Sequence, residues 1–223
     1  MSKVETFDSR EALYDAAAHA IADRLRQDVT EQGAALFAGS GGSTPGPIYE
    51  RLSADVTVPW EKVTVTLTDE RRCAEEDGAR NTDLIRRTLL KGVGRHATFA
   101  PLDGPDTLSH LPSRWSSVLL GMGTDGHFAS IFPAGDGMAE ALTTPARVIG
   151  TTPDPLPPEA PFSRFTLSLS SLKQSAHLLL TITGQEKKGV LDRAKGDGHV
   201  HSMLPIRALL DDETLPLRIF WAP

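Results

Sequence analysis

Gly121-Met122-Gly123-Thr124-Asp125-Gly126-His127-Phe128-Ala129-Ser130-Ile131-Phe132-Pro133 is the stretch on which the reading of this chain turns. The apolar run Ser117-Val118-Leu119-Leu120 leads straight into it. An apolar run that breaks into glycines reads as a central strand ending in a tight turn. In an open α/β sheet, ligands bind just beyond the carboxyl ends of the strands, so this segment is expected at a binding edge. Its glycines let the backbone approach a ligand closely, and Asp125 and His127 add two groups that handle protons. Gly121, Gly123 and Gly126 also spell G-x-G-x-x-G, the dinucleotide fingerprint. That motif needs a helix opening at its last glycine and an acidic residue about 20 positions on. The next strand-like run, Arg147-Val148-Ile149-Gly150, ends without a carboxylate, and a dinucleotide is not the expected ligand.

Working outward, three more strand-like runs end in chemistry. Ala34 to Ala38 is apolar and passes into Gly39-Ser40-Gly41-Gly42-Ser43-Thr44-Pro45-Gly46. Glycines beside hydroxyls, with proline where a helix begins, make a ready anion site from backbone N–H groups and the helix dipole. The loop is neither a P-loop, since no lysine follows, nor a nucleophile elbow, since Ser43 precedes Thr44-Pro45. Lys62 to Thr68 alternates as a half-buried strand and ends at Asp69-Glu70-Arg71-Arg72, a solvated charge cluster in the bland reading. His177 to Thr183 ends at Gly184, before a helix from Gln185 to Leu191 that carries Lys187.

Elsewhere, Val4 to Phe7 reads as a short edge strand. Asp8 with Glu11 resembles a capping box ahead of the stripe Leu13, Ala17, Ile21 and Leu25, a helix ending near Gly33. A helical pattern runs from Asp83 to Leu90, Ser163 to Leu169 alternates as a strand, and Leu217 to Pro223 forms a last strand. The five prolines of Thr151 to Pro161 mark an ordered surface loop.

At 223 residues the chain suits one α/β domain over its whole length. A net charge of -6 argues against nucleic acid as a partner, so an anionic ligand needs a local cluster of donors. Cys73 is the only cysteine, which leaves no intrachain disulfide and no cysteine-based zinc site. No run approaches the roughly 18–20 apolar residues of a membrane span, and the amino terminus lacks a signal-peptide core. A cytoplasmic protein is expected.

The pattern Gly-x-Gly-x-Asp-Gly-His-x-Ala-Ser-x-Phe-Pro resembles the signature of the 6-phosphogluconolactonases. The Ser-Gly-Gly-Ser-Thr-Pro loop at Ser40, Asp-Glu-Arg at Asp69, Asn81-Thr82 and Leu204-Pro205 are similar to further blocks of that family. The segment Ala97 to Trp115 departs from it, being shorter than the usual helical insert. The resemblance implies an α/β fold of modified Rossmann-like type, a mostly parallel sheet with helices on both faces. It also implies hydrolysis of 6-phospho-D-glucono-1,5-lactone to 6-phosphogluconate without metal or cofactor. A small sugar phosphate would be the partner, and the family suggests a monomer or loose homodimer.

A six-membered lactone is an activated ester, so a positioned water and a general base suffice. His127 is the expected base, since histidine ordinarily titrates near 6.5. Asp125 either orients it or caps a following helix. Arg71 is expected to stabilise the oxyanion, and Asp69 and Asp125 stand next in line as the base. The phosphate is expected on Gly41, Gly42, Ser43 and Thr44, clamped by Arg164 and Lys187, which occupy the family's Arg and Lys places. The related glucosamine 6-phosphate deaminases typically carry a glutamate where this chain has Phe132, and a tyrosine where it has Arg71. A non-catalytic sugar-phosphate sensor is the remaining alternative. His199-Val200-His201 invites a metal reading, but no third ligand is evident.

Overall fold

Uninterrupted apolar runs can bury both faces, as strands in a parallel sheet must, and here they do. A computed structural model describes residues 4–158, 160–196 and 204–223; His199 and His201 lie outside these. Along the chain the strands are β1 (Val4–Thr6), β2 (Ala35–Gly39), β3 (Val63–Leu67), β4 (Asp69–Arg71), β5 (Thr98–Phe99), β6 (Ser117–Leu120), β7 (Val148–Thr151), β8 (Arg164–Leu167), β9 (Leu178–Thr183) and β10 (Leu217–Ala222). Seven form one sheet in the order β1-β10-β9-β6-β2-β3-β5, and every neighbouring pair is parallel. β4, β8 and β7 make a smaller antiparallel sheet.

The helices are α1 (Arg10–Gln32), α2 (Pro45–Ala54), α3 (Asn81–Thr88), α4 (Met138–Thr143), α5 (Leu169–Leu172), α6 (Gln185–Lys195) and α7 (Arg207–Leu210). α1 packs against α2 and α2 against α3, while α6 packs on β9 and α7; with the usual right-handed crossovers this strand order sets the first three and α6 on opposite faces of the sheet. The stripe Leu13, Ala17, Ile21 and Leu25 is wholly buried under α1. None of the described helices is long and apolar enough to cross a membrane.

Three local expectations change. The cap of α1 is Ser9, whose hydroxyl accepts from the Ala12 amide, while Glu11 turns outward to pair with Arg51. β3 is buried on both sides, Thr66 included, because it lies between β2 and β5. The alternating run from Ser163 gives β8 and then breaks, since the Ser168 hydroxyl accepts from the Ser171 amide and starts α5.

Strand order decides where the site lies. Connections from β2 run toward β3 and β5, whereas β6 begins the half that runs toward β9 and β10. The reversal falls between β2 and β6, the crevice where open α/β sheets bind ligands.

Candidate active site

A cleft of about 190 Å³ opens at that crevice. Four strand ends meet there. The loop after β2 brings Ser40 to Pro45, the end of β3 and β4 brings Asp69 and Arg71, the turn after β6 brings Gly121 to Gly123 and His127, and α6 after β9 brings Lys187. Asn81 and Ala129 complete the lining.

His127 and Asp125 form a dyad. The imidazole Nδ1 lies 2.6 Å from Asp125 Oδ1, and the His127 amide donates to the same oxygen at 3.1 Å. Burial pushes the Asp125 carboxyl up, but the hydrogen bonds and charge of His127 outweigh it and hold it below the usual carboxylate range. An ionised Asp125 makes Nδ1 the donor, which leaves Nε2 with the lone pair. Phe132 packs on the ring at 4.4 Å between centroids. Asp125 does not cap a helix, because the chain from Gly126 to Phe132 forms only turns and isolated bridges. The same observation removes the helix that a dinucleotide fingerprint requires. Gly123 has to be glycine, since a Cβ there would stand 2.2 Å from His127 Nδ1 and 2.5 Å from Asp125 Oδ1.

The loop after β2 is rich in uncommitted donors. Among the described residues, the N–H groups of Gly41, Gly42, Ser43 and Thr44 donate to no protein acceptor. They precede α2, whose dipole adds partial positive charge. Thr44 does not use its hydroxyl as a cap and faces Thr183 Oγ1 at 3.5 Å. The buried Tyr49 hydroxyl donates to the Ser40 carbonyl at 2.7 Å and fixes the start of the loop. Lys187 reaches the cleft with no hydrogen bond or ion pair to the described residues. Burial lowers its pKa, opposed by the charges of Glu186 and Asp125.

Arg71 is held by neutral acceptors. Its Nη1 donates to the Ala79 carbonyl at 3.0 Å and to Asn81 Oδ1, and no described carboxylate pairs with it. Its positive charge therefore stays available to the cleft. Asp69 is buried and well bonded, accepting from Thr68 Oγ1 at 2.9 Å and from Ser130 Oγ at 2.6 Å. This is the setting of a structural acceptor more than of a free base.

Arg164 corrects an expectation, for it does not line the cleft. Antiparallel pairing sets it opposite Arg71, where it is 3% exposed. Its guanidinium donates to the carbonyls of Phe162 and Ser163 and, at 2.9 Å, of Ala160. Burial, then the charge of Arg71, lower its pKa.

Sequence reasoning noted Asn81 without giving it a role. Its Nδ2 donates to the Asp69 carbonyl at 2.8 Å, and its Oδ1 would lie 1.9 Å from a Cβ at Gly41. Asn81 thus joins Arg71, Asp69 and the anion loop. Ser40 was likewise unassigned, although its buried Oγ has no partner among the described residues. No group of three or more His, Cys, Asp or Glu among the described residues could hold a metal.

Residues 8–221 match the family described as glucosamine-6-phosphate isomerases/6-phosphogluconolactonase. A 6-phosphogluconolactonase of Caulobacter vibrioides is 41% identical, the match covering 99% of this chain and 97% of the relative. One from Rhizobium meliloti is 38% identical over 100% and 99% of the two chains. The crystal structure of a 6-phosphogluconolactonase from Shewanella baltica is similar with a TM-score of 0.92 at 34% identity, covering 100% and 98%.

Proposed function

Because the chain belongs to the family of glucosamine-6-phosphate isomerases and 6-phosphogluconolactonases, we propose that its cleft hydrolyses 6-phospho-D-glucono-1,5-lactone to 6-phosphogluconate. The observation that carries this reading is one cleft that joins the 2.6 Å Asp125–His127 dyad to an arginine and a loop of N–H donors, the arginine without a carboxylate partner and the N–H groups without acceptors among the described residues.

The phosphate sits on the amides of residues 41–44 and the hydroxyls of Ser43 and Thr44, with the Lys187 ammonium supplying a charge-assisted bond. Holding the phosphate end sets the lactone carbonyl carbon beside His127, a proximity effect. His127 Nε2 removes a proton from water as the water oxygen bonds to that carbon. The carbonyl oxygen becomes an oxyanion, which Arg71 stabilises. When the intermediate collapses, the bond to the ring oxygen breaks, and His127 returns its proton to that oxygen. Asp125 keeps the imidazole in the required tautomer and stabilises the transient imidazolium. Phe132 in place of a carboxylate beside His127 favours lactone hydrolysis over deamination, which needs an acid there.

The test is lactonase activity on freshly made lactone against spontaneous hydrolysis, with glucosamine 6-phosphate as a parallel substrate. Wild type should exceed background, and His127→Ala should lose about 10²–10⁴ in kcat while still binding 6-phosphogluconate. A wild-type rate at background sinks the lactonase reading. Activity that survives the substitution moves the base role to Asp69 or Asp125.

A further inference from the structure

The carboxylate of Glu70, one residue before Arg71, is 1% exposed and faces no solvent. A buried carboxylate is costly unless donors surround it, and this one has four. Oε1 accepts from the amides of Arg71 and Asn81, each at 2.7 Å. Oε2 accepts from the amide and the hydroxyl of Thr82, each at 2.8 Å. Asn81 and Thr82 open α3, whose own cap position, Arg80, supplies no side-chain cap. Glu70 therefore caps α3 from another element, where the helix dipole favours negative charge. The Arg80 Nε stands 3.7 Å away and adds positive charge.

These contacts bind the main chain at both ends of the segment that presents Arg71. One end is the Arg71 amide; the other is Asn81, whose side chain accepts the Arg71 guanidinium. Because its four donors are amides and a hydroxyl, Glu70 does not pair with that guanidinium and leaves its charge uncancelled. We propose that Glu70 is a positioning residue, whose buried carboxylate sets the place and direction of the Arg71 guanidinium for the developing oxyanion. The inference rests on the lactonase reading for its chemistry and on the geometry alone for the positioning.

The test is a double-mutant cycle of Glu70→Gln and Arg71→Ala on lactone hydrolysis, with thermal unfolding of each variant. Glutamine keeps the size of the side chain but turns an NH₂ toward two donors. Glu70→Gln should lower kcat by at least about tenfold and move KM by less than about threefold, the signature of an interaction made in the transition state. In the Arg71→Ala background the same change should lower kcat by less than about twofold, since its effect passes through Arg71. A merely structural cap would give effects that multiply, and that result overturns the proposal, as does a Glu70→Gln enzyme with wild-type kcat. Should Glu70→Gln not fold, Thr82→Val removes one donor and leaves the carboxylate; a kcat loss of about twofold to fivefold, absent in the Arg71→Ala background, is then expected, and effects that multiply overturn the proposal.

A second readout does not depend on activity. In the NMR spectrum of the free protein, Arg71 guanidinium signals, assigned by their loss in Arg71→Lys, should be resolved in wild type and merge in Glu70→Gln or Thr82→Val as rotation is freed. If wild type does not hydrolyse the lactone, the lactonase reading fails, and this spectrum still decides the positioning. Arg71 signals unchanged by both substitutions overturn it.

Discussion

At the scale of single residues, the dyad depends on a backbone that has no room for a methyl group. His127 Nδ1 and Asp125 Oδ1 meet only two residues apart because the turn from Gly123 folds back, with the Gly123 amide donating to the His127 carbonyl at 2.9 Å. A Cβ at Gly123 would overlap both side chains. Gly123→Ala should therefore displace the imidazole and lower kcat by about 10²-fold or more, on the scale of losing a general base. The fold should persist, since the position is not in the apolar core. Activity with a chemically synthesised lactone and a circular dichroism melt together check this. An alanine variant with full activity would mean that the dyad geometry does not limit the reaction.

At the scale of elements, the short strand β4 matters more than its three residues suggest. It carries Asp69, Glu70 and Arg71 away from the parallel sheet and pairs them with β8. That pairing buries Arg164 against the carbonyls of Ala160, Phe162 and Ser163. Arg164→Lys cannot reproduce a planar fork of donors. It should lower stability by about 1–3 kcal/mol, the cost of leaving buried acceptors unpaired, with KM for the lactone within about twofold of wild type. Urea unfolding and steady-state kinetics separate the two effects. An unchanged midpoint with a raised KM would return Arg164 to the phosphate.

At the scale of the whole molecule, a histidine in the sheet interior sets a dependence of stability on pH. His177, just before β9, is 8% exposed; its Nδ1 lies 3.0 Å from Ser117 Oγ, and its buried Nε2 has no partner among the described residues. Burial first, then the charges of Arg218 and Arg24, lower its pKa to about 4. Unfolding frees the imidazole to titrate near its ordinary 6.5. Between these values the unfolded chain binds more protons than the native one. The stability is thus fully present above about pH 6.5 and is lost as pH falls toward 4, by up to about 3 kcal/mol. His177→Gln should flatten the melting temperature over that interval. An unchanged slope in the variant would assign the dependence to other groups.

The sequence by itself determined the parallel α/β class, the four strand ends that carry chemistry and the closeness of Asp125 and His127 on one turn, while it left open whether Asp125 orients the histidine or caps a helix. Each is a local matter: apolar runs without alternation, glycines where strands break, and two side chains separated by one turn. Only the tertiary structure decided which distant residues meet there. Asn81 reaches Gly41 because β3 lies beside β2. Glu70 caps α3 because β4 packs against it, and Arg164 faces carbonyls because its register opposes Arg71. Strand order and register are set by packing across the entire core, and a single hydrogen bond such as that from the Asn81 amide to Glu70, 11 positions apart, leaves no periodic mark on the chain. The same holds for Asp69, whose place in a charged run suggested solvent, whereas burial gave it a hydroxyl partner from a distant segment, Ser130.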